Sequence, residues 1–207
     1  MPKPDLVIAS KNVHKVREIK EILAGLPLVV AGISEVADLP EIAEDGDTFE
    51  ANAVKKALAA AKATGCMALA DDSGLMVDYL GGEPGVLSAR YAGSPRSDER
   101  NNAKLLAEMA GVPWEERDAH FHCVIAVAAP DGEVTTYRGV CSGKIGFEPR
   151  GANGFGYDPL FVVPELSQTF AELDPSVKNR ISHRAKALAQ LKEGLRQKFG
   201  GTAGAAY

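Results

Sequence analysis

The 207-residue sequence predicts an α/β protein with a mixed β-sheet. Short apolar runs of strand length alternate with segments whose apolar residues recur at helical spacing. Two later runs, Ala119–Ala129 and Val134–Cys141, flank Pro130-Asp131-Gly132, a turn signal that marks a hairpin.

Taken in order, Leu6–Ala9 reads as a buried strand. Asn12 can cap the next helix, which carries Val16, Ile19 and Leu23 at helical spacing. Residues 40–47 form an acidic loop, after which Asp47 or Thr48 caps an alanine-rich helix ending near Ala63. Met67–Ala70 is a second buried strand that ends at Asp71-Asp72-Ser73-Gly74, before another apolar run, Leu75–Leu80. Residues 81–96 are rich in Gly, Pro and Ser and read as loop. Ser97 caps a helix through Met109, and the last helix runs from roughly Ser182 to Phe199. Residues 200–207 read as a frayed tail. No repeat or linker divides the chain, so residues 1–199 are expected to form a single domain with two lobes.

The composition is that of a soluble globular chain, 45% hydrophobic and 25% charged. A net charge of −5 argues against general affinity for nucleic acid or for an anionic membrane. A small phosphorylated ligand needs only local positive charge and stays compatible. Cys66, Cys123 and Cys141 are isolated and odd in number, which points to a reducing compartment and no structural zinc. No apolar stretch approaches the ~20 residues that span a bilayer. The N-terminal apolar run is too short for a signal peptide. Cytoplasm is the expected location.

Ser10-Lys11-Asn12-Val13-His14-Lys15 sits where a strand hands over to a helix. Free backbone N–H groups and the helix dipole favour an anion there. The segment is not a glycine-rich P-loop, and taken alone it is more simply an ordinary helix cap beside a solvated lysine. Phe49, Ala53, Lys56 and Ala60 share one helical stripe, with Asn52 beside it. Lys56 either snorkels outward or points inward toward phosphate.

Asp71-Asp72-Ser73-Gly74 is composed of turn-favouring residues, and a plain turn is one reading of it. Adjacent strand residues face opposite sides, so the two carboxylates should not share a site. Glu44 and Asp45 can bring a further carboxylate. Carboxylate and phosphate oxygens together suit Mg²⁺. His14, His120, His122 and His183 show no metal-ligand spacing in a helix.

Asn153-Gly154-Phe155-Gly156-Tyr157-Asp158 is a glycine-spaced aromatic loop. Phe155 either stacks on a flat ring or is a core aromatic in a tight turn. Lys178-Asn179-Arg180-Ile181-Ser182-His183-Arg184 is a basic cluster opening the last helix. Ile181, Arg184, Leu188, Leu191 and Leu195 form one stripe. Arg184 therefore lies on a mostly apolar face near a helix start, which is costly unless the guanidinium is paired or bound.

These blocks, taken in chain order with Pro84-Gly85-Val86-Leu87-Ser88-Ala89-Arg90-Tyr91, resemble the inosine triphosphate pyrophosphatase family over almost the whole chain. Gly-Phe-Gly-Tyr-Asp-Pro followed by Ser-His-Arg is the most specific combination. The resemblance implies an elongated mixed sheet with flanking helices, two lobes around a central cleft, and a homodimer. It implies hydrolysis of nonstandard purine nucleoside triphosphates (ITP, dITP and XTP) to the monophosphate and pyrophosphate, with Mg²⁺ as cofactor. By the same resemblance, Ser10, Lys11, Asn12, Val13, His14, Lys15 and Lys56 would line the triphosphate. Asp72 would be the general base, and with Glu44 would bind the metal. Ser73 would touch substrate. Phe155, Gly156, Tyr157, Asp158, Lys178, His183 and Arg184 would surround the nucleoside, with Arg184 and His183 as donors near the purine O6. One departure is Lys11, where the family usually has a small residue.

Two other readings are a Maf-like pyrophosphatase of different base preference and a non-catalytic nucleotide-binding protein. The first lacks the aromatic-loop and Ser-His-Arg blocks. The second has no need of Asp-Asp-Ser-Gly. A structural or interaction module with a basic helix fits poorly with the acidic net charge.

Overall fold

The computed structural model describes residues 3–40 and 42–200, the last three of these by backbone alone. Seven strands form one sheet in the order β2-β1-β3-β4-β5-β6-β7. They are β1 Leu6–Ile8, β2 Val30–Gly32, β3 Met67–Val77, β4 Asp118–Ala128, β5 Val134–Ile145, β6 Phe161–Val163 and β7 Gln168–Thr169. β1 pairs parallel with β2 and with β3, whereas β6 pairs antiparallel with β5 and with β7. The expected mixed sheet is therefore present. The α-helices are α1 Val13–Leu23, α2 Ile33–Val36, α3 Phe49–Thr64, α4 Asp98–Glu108, α5 Pro175–Ile181 and α6 His183–Gly200. The expected tail at 200–207 lies outside the described residues from 201 onward; Gly200 ends α6.

The chain divides into two compact units. The first comprises residues 1–72, 124–139 and 184–207. Its core is built largely from alanine: Ala53, Ala57, Ala60 and Ala61 of α3 cluster with Ala68, Ala70, Ala126 and Ala128 of the strands. Side chains this small let the helix backbone lie close to the sheet, so that Lys56 of the same helix reaches Asp71 and Asp72 within β3. Thr48 caps α3 by accepting from the Ala51 N–H, and Gly65 ends it in the left-handed region at φ 62°.

The second unit comprises residues 73–123 and 140–183. Its core is aromatic and aliphatic, with Phe121, Phe161 and Phe170 in mutual contact beside Leu75, Leu105 and Leu160. Arg117 is buried in this unit. Its guanidinium donates to the carbonyls of Ile145, Gly146, Met109 and Val112 at 2.6–3.2 Å. It also stacks 4.4 Å from the Phe147 ring centroid.

Three expectations need correction. Asp71-Asp72-Ser73-Gly74 is no turn and no strand end: β3 runs unbroken through it to Val77. Strand pairing outweighs the turn preference of these residues, because the flanking runs are apolar enough to carry the strand on both sides. The basic cluster does not open one long helix. It starts inside α5, which Asp174 caps and Pro175 begins, and crosses an extended break at Ser182 (ψ 160°) before α6. Apolar spacing continues across that break, which concealed it. Residues 81–96 are not all loop, since Gly85–Arg90 is a 3-10 turn.

Candidate active site

Two clusters gather the residues singled out from the sequence. In the first unit the junction of β1 and α1 behaves as expected. Asn12 Oδ1 accepts from the His14 and Lys15 N–H groups at 3.0 and 3.2 Å, and Ser10 Oγ accepts from the Asn12 N–H at 3.2 Å. Lys11 and Val13 are exposed.

The side chains of Asp71 and Asp72 diverge, as strand geometry requires. Asp71 is buried and meets Lys15 Nζ at 2.5 Å. The Arg184 guanidinium reaches it with Nε at 2.9 Å and Nη2 at 3.4 Å, and sends Nη1 to Glu18 at 2.5 Å. Arg184 is thus the charged residue that the apolar stripe demanded should be paired, and its partners are carboxylates. Burial alone would raise the Asp71 carboxyl, but the charges of Arg184 and Lys15 hold it well below the usual range.

Asp72 belongs to another group. Lys56 does not snorkel: it is buried, and its ammonium donates to Glu44 at 2.7 Å, to the Asp71 carbonyl at 2.7 Å and to Asp72 at 3.3 Å. Burial raises the Asp72 carboxyl above its ordinary value; Lys56 and Lys15 oppose the rise and Glu44 adds to it. Asn52, on the adjoining turn of α3, acts to lower the Asp72 carboxyl. Burial likewise lowers the Lys56 ammonium, but Asp72 and Glu44 outweigh it and the net shift is upward. One strand therefore carries a carboxylate kept ionised and, next to it, one whose proton affinity is increased.

Asn52 was legible only as a neighbour of the Lys56 stripe. Its second task, accepting from the Gly46 N–H at 2.8 Å, steadies the acidic loop that carries Glu44. Glu18, which completes the Arg184 pairing, carried no signal beyond its charge.

The second unit holds the aromatic loop. Asp158 Oδ2 accepts from the Phe155 N–H at 2.9 Å and from Lys178 Nζ at 2.6 Å. That ammonium lies 4.8 Å from the Phe155 ring centroid. Gly154 has φ 77°, and a Cβ there would overlap the Asp158 carboxylate. Tyr157 turns inward, buried, with its hydroxyl donating to the Ser88 carbonyl at 2.8 Å. His183 is buried and stacks on Phe121 at 4.7 Å. His120 meets Ser142 and Asp78. Among the described residues no group of three His, Cys, Asp or Glu side chains is placed to hold a metal. No helix among them is long and apolar enough to cross a membrane.

Fold and clusters define a mixed α/β protein with cationic side chains around a buried carboxylate of raised proton affinity and a separate aromatic loop with its own ammonium, a chemistry suited to phosphorylated ring compounds. The chain belongs to the Ham1 family, which residues 6–194 match. It is 55% identical over 190 residues to a dITP/XTP pyrophosphatase of Geobacter sulfurreducens, covering 92% of this chain and 96% of that one. A dITP/XTP pyrophosphatase of Desulforamulus reducens is 55% identical over 194 residues, 94% of this chain and 96% of that protein. The solved structure of a HAM1 protein from Coxiella burnetii superposes with a TM-score of 0.85 at 45% identity, covering 93% and 98% of the two chains. The family resemblance read from the motifs is borne out.

Proposed function

We propose that this protein hydrolyses nonstandard purine nucleoside triphosphates, ITP, dITP and XTP, to the monophosphate and pyrophosphate. The observation that carries the reading is the buried Asp72, raised in proton affinity and set against Lys56 and Glu44. Its support is the relatedness to dITP/XTP pyrophosphatases over nearly the full chain.

In this reading Asp72 takes the proton of the water that attacks the α-phosphorus, and pyrophosphate leaves. A carboxyl lifted by burial is a stronger base than an exposed aspartate. Ser10, Asn12 and Lys15, with the backbone N–H groups of the β1–α1 turn, take the triphosphate. Lys11, Val13 and His14 contribute through that turn rather than by reach. Lys56, already bonded to Glu44, the Asp71 carbonyl and Asp72, sets the charge of the two carboxylates and aids the phosphates through them. Ser73 touches substrate. Phe155 and Gly156 take the base, with Tyr157, Asp158 and Lys178 holding the loop. His183 and Arg184 supply donors to the purine O6.

Glu44 and Asp72 both face the Lys56 ammonium, and such a carboxylate pair fits Mg²⁺, which uses one or two carboxylates and completes its shell with phosphate oxygens and water. When bound, the ion would offset the triphosphate charge. The proposal includes a homodimer and a cytoplasmic setting, consistent with buried cysteine thiols.

The test is pyrophosphate release from ITP, XTP, dITP, GTP and ATP, with Mg²⁺ and with chelator. The expected result is metal-dependent release favouring ITP, XTP and dITP by at least about tenfold, within the discrimination that polar base contacts provide. Release from none of them, or equal release from ATP, contradicts the reading.

A further inference from the structure

The Gly156 peptide is held at both ends by one helix. Asp98 Oδ2 accepts its N–H at 2.7 Å, and Asn102 Nδ2 donates to its carbonyl at 2.9 Å. Asp98 and Asn102 lie four residues apart, on one face of α4. We propose that Asp98 and Asn102 are positioning residues for base selection, clamping Gly156 so that the Phe155 ring is presented in one fixed pose to a 6-oxopurine nucleotide. This rests on the assignment of the aromatic loop to the base.

The platform is built to be rigid. Ser97 caps α4 by accepting from the Arg100 N–H at 3.2 Å. Asn101, buried, accepts from the Ala92 N–H at 2.8 Å and donates to the carbonyls of Ser88 and Ala89. Leu105 packs one turn further into the core. The 3-10 turn Gly85–Arg90 is thereby tied to the same helix, and Tyr157 reaches it through the Ser88 carbonyl.

The loop needs such support. Gly154 and Gly156 both have positive φ, 77° and 63°, so the segment has backbone freedom that residues with a Cβ lack. Asp158 holds Phe155 itself: its carboxylate accepts the Phe155 N–H at 2.9 Å and its own N–H donates to the Phe155 carbonyl at 3.2 Å. Without the clamp, Gly156 loses both side-chain hydrogen bonds that α4 gives it, and the Phe155 ring is held less firmly. Asn102 also gives up something for the contact: its Oδ1 is buried with no hydrogen-bond partner among the described residues. Such a buried acceptor is ordinarily costly, which fits a side chain placed for its Nδ2.

The test compares Asp98→Ala, Asn102→Ala, the isosteric Asn102→Asp, and Asp98→Asn, which keeps an acceptor oxygen. ITP affinity is measured by calorimetry, KM and kcat by pyrophosphate release, and Gly156 amide exchange by NMR. Freeing one or two backbone residues predicts ITP binding and KM weakened on the order of tenfold, with kcat within about twofold. The ITP-to-ATP preference falls, the Gly156 amide exchanges faster, and Asp98→Asn recovers most of the loss. Asn102→Asp matches Asn102→Ala while keeping the shape of the side chain. Wild-type ITP affinity and base preference in the three disruptive variants would overturn the clamp. So would a fall in kcat and melting temperature at unchanged KM. A wild-type protein that binds ITP but releases no pyrophosphate removes the enzymatic reading and leaves the calorimetric test standing. A wild-type protein that does not bind ITP removes both.

Discussion

Asp71 and Asp72 are consecutive residues of β3 that serve two different charge networks. Asp71 closes on Arg184 and Lys15, whereas Asp72 faces Lys56. The pleat sends them to opposite sides, and burial then acts on each with different partners. The Asp71 carboxyl is driven down and the Asp72 carboxyl up. One is held ionised by its partners; the other has a raised proton affinity.

Asp71→Asn should therefore act on stability. It leaves Arg184 and Lys15 as buried or half-buried cations with one partner fewer, a loss of about 3–5 kcal/mol for a broken buried ion pair. Urea denaturation at neutral pH measures it. A change below about 1 kcal/mol would contradict a structural role for Asp71.

The same residue sets an acid limit. Because its carboxyl is lower in the folded than in the unfolded chain, its contribution is present above the unfolded value of about 3.9 and is lost as pH falls through the lower folded value. Wild-type stability should drop over that acid range, and Asp71→Asn should flatten this part of the curve. An Asp71→Asn protein with the wild-type acid slope would exclude it as the cause.

Lys56→Met should shift the pH dependence of catalysis. Lys56 opposes the rise of Asp72 that burial causes, so removing its charge raises the Asp72 carboxyl further. The acid limb of kcat/KM should move to higher pH. An unmoved limb, with only KM altered, would mean that Lys56 acts on substrate directly.

Arg117→Leu tests the second unit's core. It strips the carbonyls of Ile145, Gly146, Met109 and Val112 of their donor, and each buried acceptor left unmet costs about 1–3 kcal/mol. A loss of at least about 3 kcal/mol in chemical denaturation is expected. A near-neutral substitution would show that these carbonyls find other donors.

Much of this was legible in the sequence. Asn12 and Thr48 cap helices where their side-chain chemistry indicates, and the divergence of Asp71 from Asp72 follows from strand geometry alone. The odd position of Arg184 on an apolar stripe announced a pairing. Its partners were hidden, because Asp71 and Glu18 are far from it in sequence and only the fold joins them. The break at Ser182 was hidden because residues on both sides keep helical apolar spacing. Arg117 looked like one surface charge among many, since satisfaction by carbonyls leaves no motif. Asp98 and Asn102 were hidden in the same way: on an exposed-looking helix they resemble ordinary polar residues until Gly156 is found between them.

If Asp72 is the base of a pyrophosphatase, Asp72→Asn removes the proton acceptor and spares the fold. The raised folded value means that the ionised side chain adds no stability at neutral pH: its contribution is present below the unfolded value and is lost as pH rises through the folded one. The substitution should leave unfolding close to wild type, unlike Asp71→Asn. Pyrophosphate release from ITP with saturating Mg²⁺ should fall at least about a hundredfold, as for loss of a general base. Turnover within a few-fold of wild type in a folded Asp72→Asn protein would contradict the account.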